Sequence, residues 1–318
     1  MQPTTLTILS HADIMRLVDP AKAIDVLAEG FKALSLGNVQ APPRPKVDIP
    51  GKGFGLAMLA WMPGFPISLK TVNVFHDNPA NGLESHQALI SLFDGDTGRP
   101  LAVLDGGSIT GMRTAAAAVL SARLGARPDA RIAAVIGAGV QGREHVRLLH
   151  LARDFDEICV FARSAEAARR TAALSPKARI VGDIETAVRG ADVVCLTTAA
   201  ATPVIEADWI GPGTHVTSVG FAPPGSELPL ALIAKSRVIV EAKSAFAPAP
   251  VGCAELAGRD ASGAVEIGEI LLGMKPARAA ANEITLYKSM GNAMEDMVVA
   301  HLAYSEALRL GVGQKVTV

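Results

Sequence analysis

The sequence predicts an α/β protein in which a doubly wound parallel sheet follows an α+β N-terminal part, and three observations carry that prediction. The short β-branched run 132–136 breaks into Gly137-Ala-Gly-Val-Gln-Gly142 and then takes up a helical period over 143–149. Further apolar runs at 158–162, 191–198 and 214–220 have the length of buried parallel strands. The glycine-rich turn comes only after about 130 residues of different texture, so the parallel sheet belongs to the second unit of the chain.

The N-terminal elements follow in order. Ser10-His-Ala-Asp13 has the spacing of a helix cap ahead of a helix at 14–17, and a second helix covers 21–36. Strand-like runs occupy 54–62, 67–75 and 86–93, Asp94-Gly-Asp-Thr-Gly98 makes a turn, and 100–104 returns as a strand. Arg113 stands at the start of an alanine-rich helix, and Pro128 and Asp129 break the chain before the glycine-rich unit. A long helix at 292–310 returns to pack on the first unit. The expected domains are therefore 1–125 plus 290–318, and 126–289, joined by two crossings with a cleft between them.

With 318 residues, 49% hydrophobic and 19% charged, the chain is long enough for two cores and is globular rather than disordered. A net charge of −1 gives no electrostatic footprint for a nucleic-acid partner. Cys159, Cys195 and Cys253 are scattered, two of them in buried strands, which disfavours disulfides. The absence of a basic stretch leading into an apolar core at the N-terminus, and of a span-length apolar run, points to a cytoplasmic protein without a membrane partner. His86 lacks a second histidine at ligand spacing, so no metal is expected.

The GxGxxG turn reads as a dinucleotide cradle in a Rossmann domain. Gly137 permits the tight turn, Gly139 lets a pyrophosphate approach, Gly142 allows close helix packing, and Val140 and Gln141 open the helix whose N-terminus faces the anion. The second strand ends in Arg163-Ser164, where an NAD site usually carries an acid; a guanidinium and a hydroxyl suit a 2′-phosphate, so NADP(H) is preferred over NAD(H). Thr197 and Val219, at the carboxyl ends of later strands, and Ser289 are expected beside the nicotinamide.

Three cations in the N-terminal part have few obvious counter-charges: Arg44 between prolines, Lys70 in a strand-like run, and Arg113. Together they suggest a carboxylate-binding site, because an arginine in an apolar setting is costly unless it meets an anion. His145 and His150 are expected on the exposed side of the first Rossmann helix. Trp61, Met58 and Met62 are expected to pack the core, and Glu295 and Asp296 to favour the dipole end of the last helix.

Four stretches, Pro43-Arg-Pro45, Leu69-Lys-Thr71 with Ser85-His-Gln87, 105–116 from Asp105 to Ala116, and 283–291 ahead of Glu295-Asp296, resemble the ornithine cyclodeaminase and mu-crystallin family over nearly the whole chain. That resemblance implies a homodimer through the N-terminal sheet, a Rossmann domain inserted before the returning helix, and an amino or imino acid carboxylate held by Arg44, Lys70 and Arg113. Lys70 and Arg113 take the catalytic roles.

One departure bears on the reaction. In cyclodeaminases and related alanine dehydrogenases the family places an Asp at the position matching Ala222, where it serves the substrate amine. A methyl group neither accepts a proton nor holds an ammonium. Glu227, further along the loop, reads as a surface carboxylate or as a substitute base. The expectation is an NADPH-dependent reductase turning a cyclic ketimine, Δ1-pyrroline-2-carboxylate or Δ1-piperideine-2-carboxylate, into proline or pipecolate. The alternatives are an NAD-dependent ornithine cyclodeaminase and an NADPH-gated binding protein of the mu-crystallin kind.

Overall fold

The structure, a computed structural model, describes residues 4–317 and divides into two compact units. One runs up to Arg113 and resumes at Asn292; the other is Thr114–Gly291. The sequence placed the breaks at 125/126 and 289/290. The first differs because the alanine-rich helix begins at Gly106, seven residues before Arg113, and runs unbroken to Gly125, so that its part from Thr114 onward belongs to the other unit.

In chain order the elements are β1 (Thr5–Leu9), α1 (His11–Leu17), α2 (Pro20–Ser35), β2 (Lys46–Ile49), β3 (Gly53–Ala60), β4 (Ile67–Phe75), β5 (His86–Phe93), β6 (Pro100–Asp105) and α3 (Gly106–Gly125). The second unit continues with β7 (Ile132–Ile136), α4 (Val140–Leu148), β8 (Glu157–Phe161), α5 (Ala165–Ala172), β9 (Ala178–Ile180), α6 (Ile184–Arg189), β10 (Val193–Leu196) and β11 (His215–Ser218). It ends with α7 (Leu230–Lys235), β12 (Ser236–Val240), β13 (Val265–Glu266), α8 (Ile267–Leu271) and β14 (Ile284–Lys288). The chain then closes the first unit with α9 (Ala293–Leu310) and β15 (Gln314–Thr317).

Among the described residues, the first unit is built on a seven-stranded sheet in the order β15-β1-β6-β5-β4-β3-β2. Strand β4 alternates along its whole length. Ser68, Lys70, Val72 and Val74 of β4 point to a buried face on which α9 packs, while Thr71 and Asn73 point the other way. The outer face carries Ile8, Val103, Ser91, Leu69 and Leu59 in one cross-strand row, and Leu59 and Leu89 are 42% and 54% exposed. Capping fixes where the helices start: Ser10 and Asp13 exchange hydrogen bonds at α1, and Asn292 and Glu295 do the same at α9.

The second unit is an eight-stranded, all-parallel sheet in the order β13-β12-β14-β11-β10-β7-β8-β9. The chain leaves β7 in one direction through β8 and β9, then returns to the other side of β7 with β10, which makes β7 the switch point where open α/β sheets bind ligands. The glycine-rich turn sits at the carboxyl end of that strand. Gly137 adopts φ +115°, and a Cβ on Gly142 would lie 2.0 Å from the Gly137 carbonyl oxygen, so α4 can pass this close to β7 only with glycine there.

Among the described residues no helix is long and apolar enough to cross a membrane. The three cysteines are free and buried. Gly142→Ala is expected to destabilise the fold by about 1–3 kcal/mol in urea unfolding, because the obstacle is backbone that cannot rotate away.

Candidate active site

The buried face of the first sheet brings together charges that the sequence left apart. Lys70 Nζ and Arg113 Nε each lie 3.1 Å from the same oxygen, Oδ1 of Asp296, and Arg113 Nη1 lies 3.2 Å from Glu295 Oε2. All four side chains are almost wholly removed from water. Glu295 and Asp296 are thus the counter-charges of the cations rather than ornaments of a helix dipole. Their i, i+1 placement at the start of α9 obscured this, since acidic residues are common in any first helical turn.

Local sequence explains the arrangement. Asp105 accepts from Ser108 N at 2.7 Å and caps α3, which fixes the helical phase that carries Arg113 inward. Asn292 caps α9 by accepting from Met294 N, and Glu295 Oε1 accepts from Asn292 N at 2.5 Å, leaving Oε2 for Arg113. Lys70 points inward because it shares the parity of Ser68 and Val72. It pairs in register with Met58 on β3, and extending the β2–β3 register by two residues puts half-buried Arg44 on that same row. Met58 and Met62 are core residues, as expected.

Burial pushes the Lys70 ammonium down to a pKa of about 8; Asp296 opposes the shift and Arg113 assists it. Burial also disfavours the Asp296 carboxylate, but Lys70 and Arg113 outweigh it and hold its pKa below the ordinary value. His86, at the start of β5, has a pKa lowered by desolvation and then by Lys70 and His76. Among the described residues no group of three His, Cys, Asp or Glu has the geometry to hold a metal.

In the second unit the glycine-rich turn has the shape of a phosphate cradle. Gly139 is the N-cap of α4 and makes no side-chain cap bond, and nothing lies within 4 Å of where its Cβ would be. The turn therefore offers an open approach to the first N–H groups of α4, at Val140, Gln141 and Gly142, and fits a dinucleotide pyrophosphate. Arg163 is exposed just past β8, and Ser164 accepts from Ala167 N at 3.2 Å as the cap of α5, leaving its own hydroxyl hydrogen to donate. Thr197 Oγ1 donates to Ile136 O at 2.9 Å and so is anchored beside the turn, and Val219 N donates to Leu196 O at 3.2 Å.

Two expectations about this unit change. His145 is fully buried on α4, its Nδ1 2.7 Å from Gln141 O, and burial pushes its pKa down to about 4, whereas His150 is exposed. Glu227 is not a surface carboxylate. It is 2% exposed and accepts from Thr198 N at 2.9 Å, Thr198 Oγ1 at 2.6 Å, Ser218 Oγ at 2.8 Å and Gly220 N at 2.8 Å. Ser289 Oγ donates to Glu241 Oε1 at 2.7 Å, and Glu241 also takes the N–H groups of Met290 and Gly291. Glu241 and Glu255, both buried, escaped the sequence reading; a carboxylate closing an apolar strand, as in Val238-Ile-Val-Glu241, was the available signal, because such a group must find donors.

Residues 5–310 match the model of the ornithine cyclodeaminase/mu-crystallin family. The chain belongs to that family. Ketimine reductase mu-crystallin of Mus musculus is 33% identical over 276 residues, covering 84% of this chain and 85% of that protein. The solved structure of Thermococcus litoralis Δ1-pyrroline-2-carboxylate reductase, in complex with NADH and L-proline, superposes with a TM-score of 0.92 at 31% identity over 98% of this chain and all of that one. An archaeal alanine dehydrogenase dimer with bound NAD superposes at 0.88, with 29% identity over 98% of this chain and 99% of that one.

Removing one partner from the buried quartet leaves a charge stranded away from water. Asp296→Asn is therefore expected to cost about 3–5 kcal/mol of stability, measured by chemical denaturation, far more than the surface pair Arg170–Glu166 would cost if broken.

Proposed function

We propose that this member of the family is an NADPH-dependent reductase of a cyclic ketimine carrying an α-carboxylate, Δ1-pyrroline-2-carboxylate or Δ1-piperideine-2-carboxylate, yielding proline or pipecolate. The observation that carries the reading is the state of the loop after β11. Position 222 is a methyl group, and Glu227 on the same loop accepts four hydrogen bonds, which exhausts the four lone-pair sites of a carboxylate. No acid on this loop is left to serve a substrate amine, as cyclodeamination requires. Reduction of a preformed C=N bond makes no such demand.

A bound NADPH supplies the hydride. Arg113 and Arg44 hold the substrate carboxylate, the forked guanidinium fixing its plane so that the imine carbon is presented in one orientation. Lys70 donates a proton to the ring nitrogen, so that one hydride and one proton convert C=N to CH–NH, and it recovers its proton from solvent. A pKa of about 8 suits this, since an ammonium near its titration point releases a proton readily at neutral pH. Asp296 and Glu295 keep the two cations in place when no substrate is bound.

Arg163 and Ser164 favour the 2′-phosphate of NADPH over the bare ribose of NADH, for want of an acid at the end of β8. The apolar outer face of the first sheet, with Ile8, Leu59 and Leu89, is the surface on which a second copy pairs to form a homodimer.

The decisive measurement is NADPH oxidation with a panel of cyclic imino acids, beside ammonia release from ornithine. The expected outcome is ketimine reduction without ammonia; ammonia release at a comparable rate would replace this reading with the lyase. The same assay run against pH should show kcat/KM falling as pH rises through about 8, as Lys70 loses its proton. A fall confined to pH above 10 would remove Lys70 as the donor.

Replacing Arg163 by Asp sets a carboxylate against the 2′-phosphate. The preference for NADPH over NADH, measured by titrating both nucleotides, is expected to invert or vanish in Arg163→Asp. Equal affinities in the unmodified protein would refute the assignment.

A further inference from the structure

We infer that Glu227 and Lys288 are positioning residues for the nicotinamide half of the cofactor, an assignment that rests on the dinucleotide-binding reading above. The two side chains bracket the carboxyl ends of β10 and β11. Glu227 binds the residue just after Thr197 through both its N–H and its hydroxyl, and it binds both neighbours of Val219, namely Ser218 through Oγ and Gly220 through N–H. Lys288, fully buried at the end of β14, donates to the carbonyl oxygen of that same Gly220 at 2.5 Å, and its ammonium lies 3.4 Å from Ser218 Oγ and 3.0 Å from Glu255 Oε1. Glu255 in turn accepts from Ser226 Oγ at 3.0 Å, which ties the far end of the same loop.

The Gly220 peptide is thus held on both sides by charged side chains, its N–H by a carboxylate and its C=O by an ammonium. A Cβ at this residue would lie 2.7 Å from Glu227 Oε1 and 2.5 Å from Thr198 O, so only glycine lets the carboxylate come this close to both strand ends. These loops occupy the carboxyl edge of a parallel sheet, where loop backbone meets ligand, and they would otherwise be tethered only by single backbone bonds such as Val219 N to Leu196 O. Burying four charged or strongly polar groups to hold two short loops is costly. It yields rigidity at the strand ends that face the reacting ring, on the side of the sheet away from β8 and the adenosine-recognising Arg163.

Glu227→Gln keeps the shape but turns one acceptor oxygen into a donor amide, so two of the four bonds are lost. Binding of NADPH is compared with binding of 2′-phospho-ADP-ribose, the same nucleotide without nicotinamide, by calorimetry. The expected result is a loss of roughly tenfold or more in NADPH affinity with 2′-phospho-ADP-ribose held within about twofold, and a kcat that falls with little change in ketimine KM. Thr198→Val, which removes the hydroxyl's donation to Glu227 together with its weaker acceptance from Ala200 N and leaves every charged group in place, should show the same split at smaller size. An equal loss for both nucleotides, or no loss for either, in the folded variants would overturn the assignment. Failure of the unmodified protein to bind either nucleotide would instead overturn the dinucleotide reading, and normal binding without ketimine turnover would overturn only the substrate.

Discussion

Two cations and two carboxylates closed off from water in the first unit set the constraint on which the rest depends. Lys70 and Arg113 share one oxygen of Asp296, and Glu295 takes Nη1 of Arg113. Each charge alone would be prohibitive at this depth, so the four residues must arrive together. That requirement dictates the chain path. Lys70 comes from the middle of a sheet, Arg113 from a helix capped by Asp105, and the two acids from a helix that returns after 178 residues of the other unit. The long excursion is compatible with a stable first unit because α9 supplies both its missing apolar layer and its missing charges.

The same quartet connects stability to chemistry. A neutral balance of two positive and two negative groups holds the cations in register, and burial leaves Lys70 with a pKa of about 8, which suits the proton-donor role proposed for it. An ammonium at the surface would titrate far higher and give up its proton slowly. The second unit solves a parallel problem with Glu227, Glu241 and Glu255, buried acids that each gather loop donors at the carboxyl edge of the sheet. In each unit buried carboxylates organise the polar groups around them, and Glu227, Glu241 and Glu255 are all engaged by donors.

This division of labour underlies the proposal that the methyl group at position 222 favours reduction over cyclodeamination. An enzyme that removes ammonia needs an acid facing the substrate nitrogen, whereas one that adds hydride to C=N needs a carboxylate clamp, a proton and a rigid platform for the cofactor. The loop after β11 here carries a methyl group at position 222 and a Glu227 that accepts four hydrogen bonds. In this chain the anchorage of the loop through Glu227 and Lys288 does not involve the side chain at position 222.

Much of this was legible in the chain itself. Strands β4, β5 and β7 lie where alternation or continuous apolarity placed them, and the glycine turn could be assigned because each glycine answers to a local steric demand that leaves a mark in sequence. Lys70 and Arg113 stood out because a cation in an apolar run is anomalous. The acids did not stand out: Glu295 and Asp296 look like ordinary first-turn residues, Glu227 like a polar loop residue, and His145 like the exposed face of a helix. Their burial is set by residues 180 or more positions away, or by the packing of a neighbouring strand, and no window of sequence contains that information. Local geometry was thus written in the chain, while the pairing of buried charges was decided only when long-range contacts removed water from both partners at once.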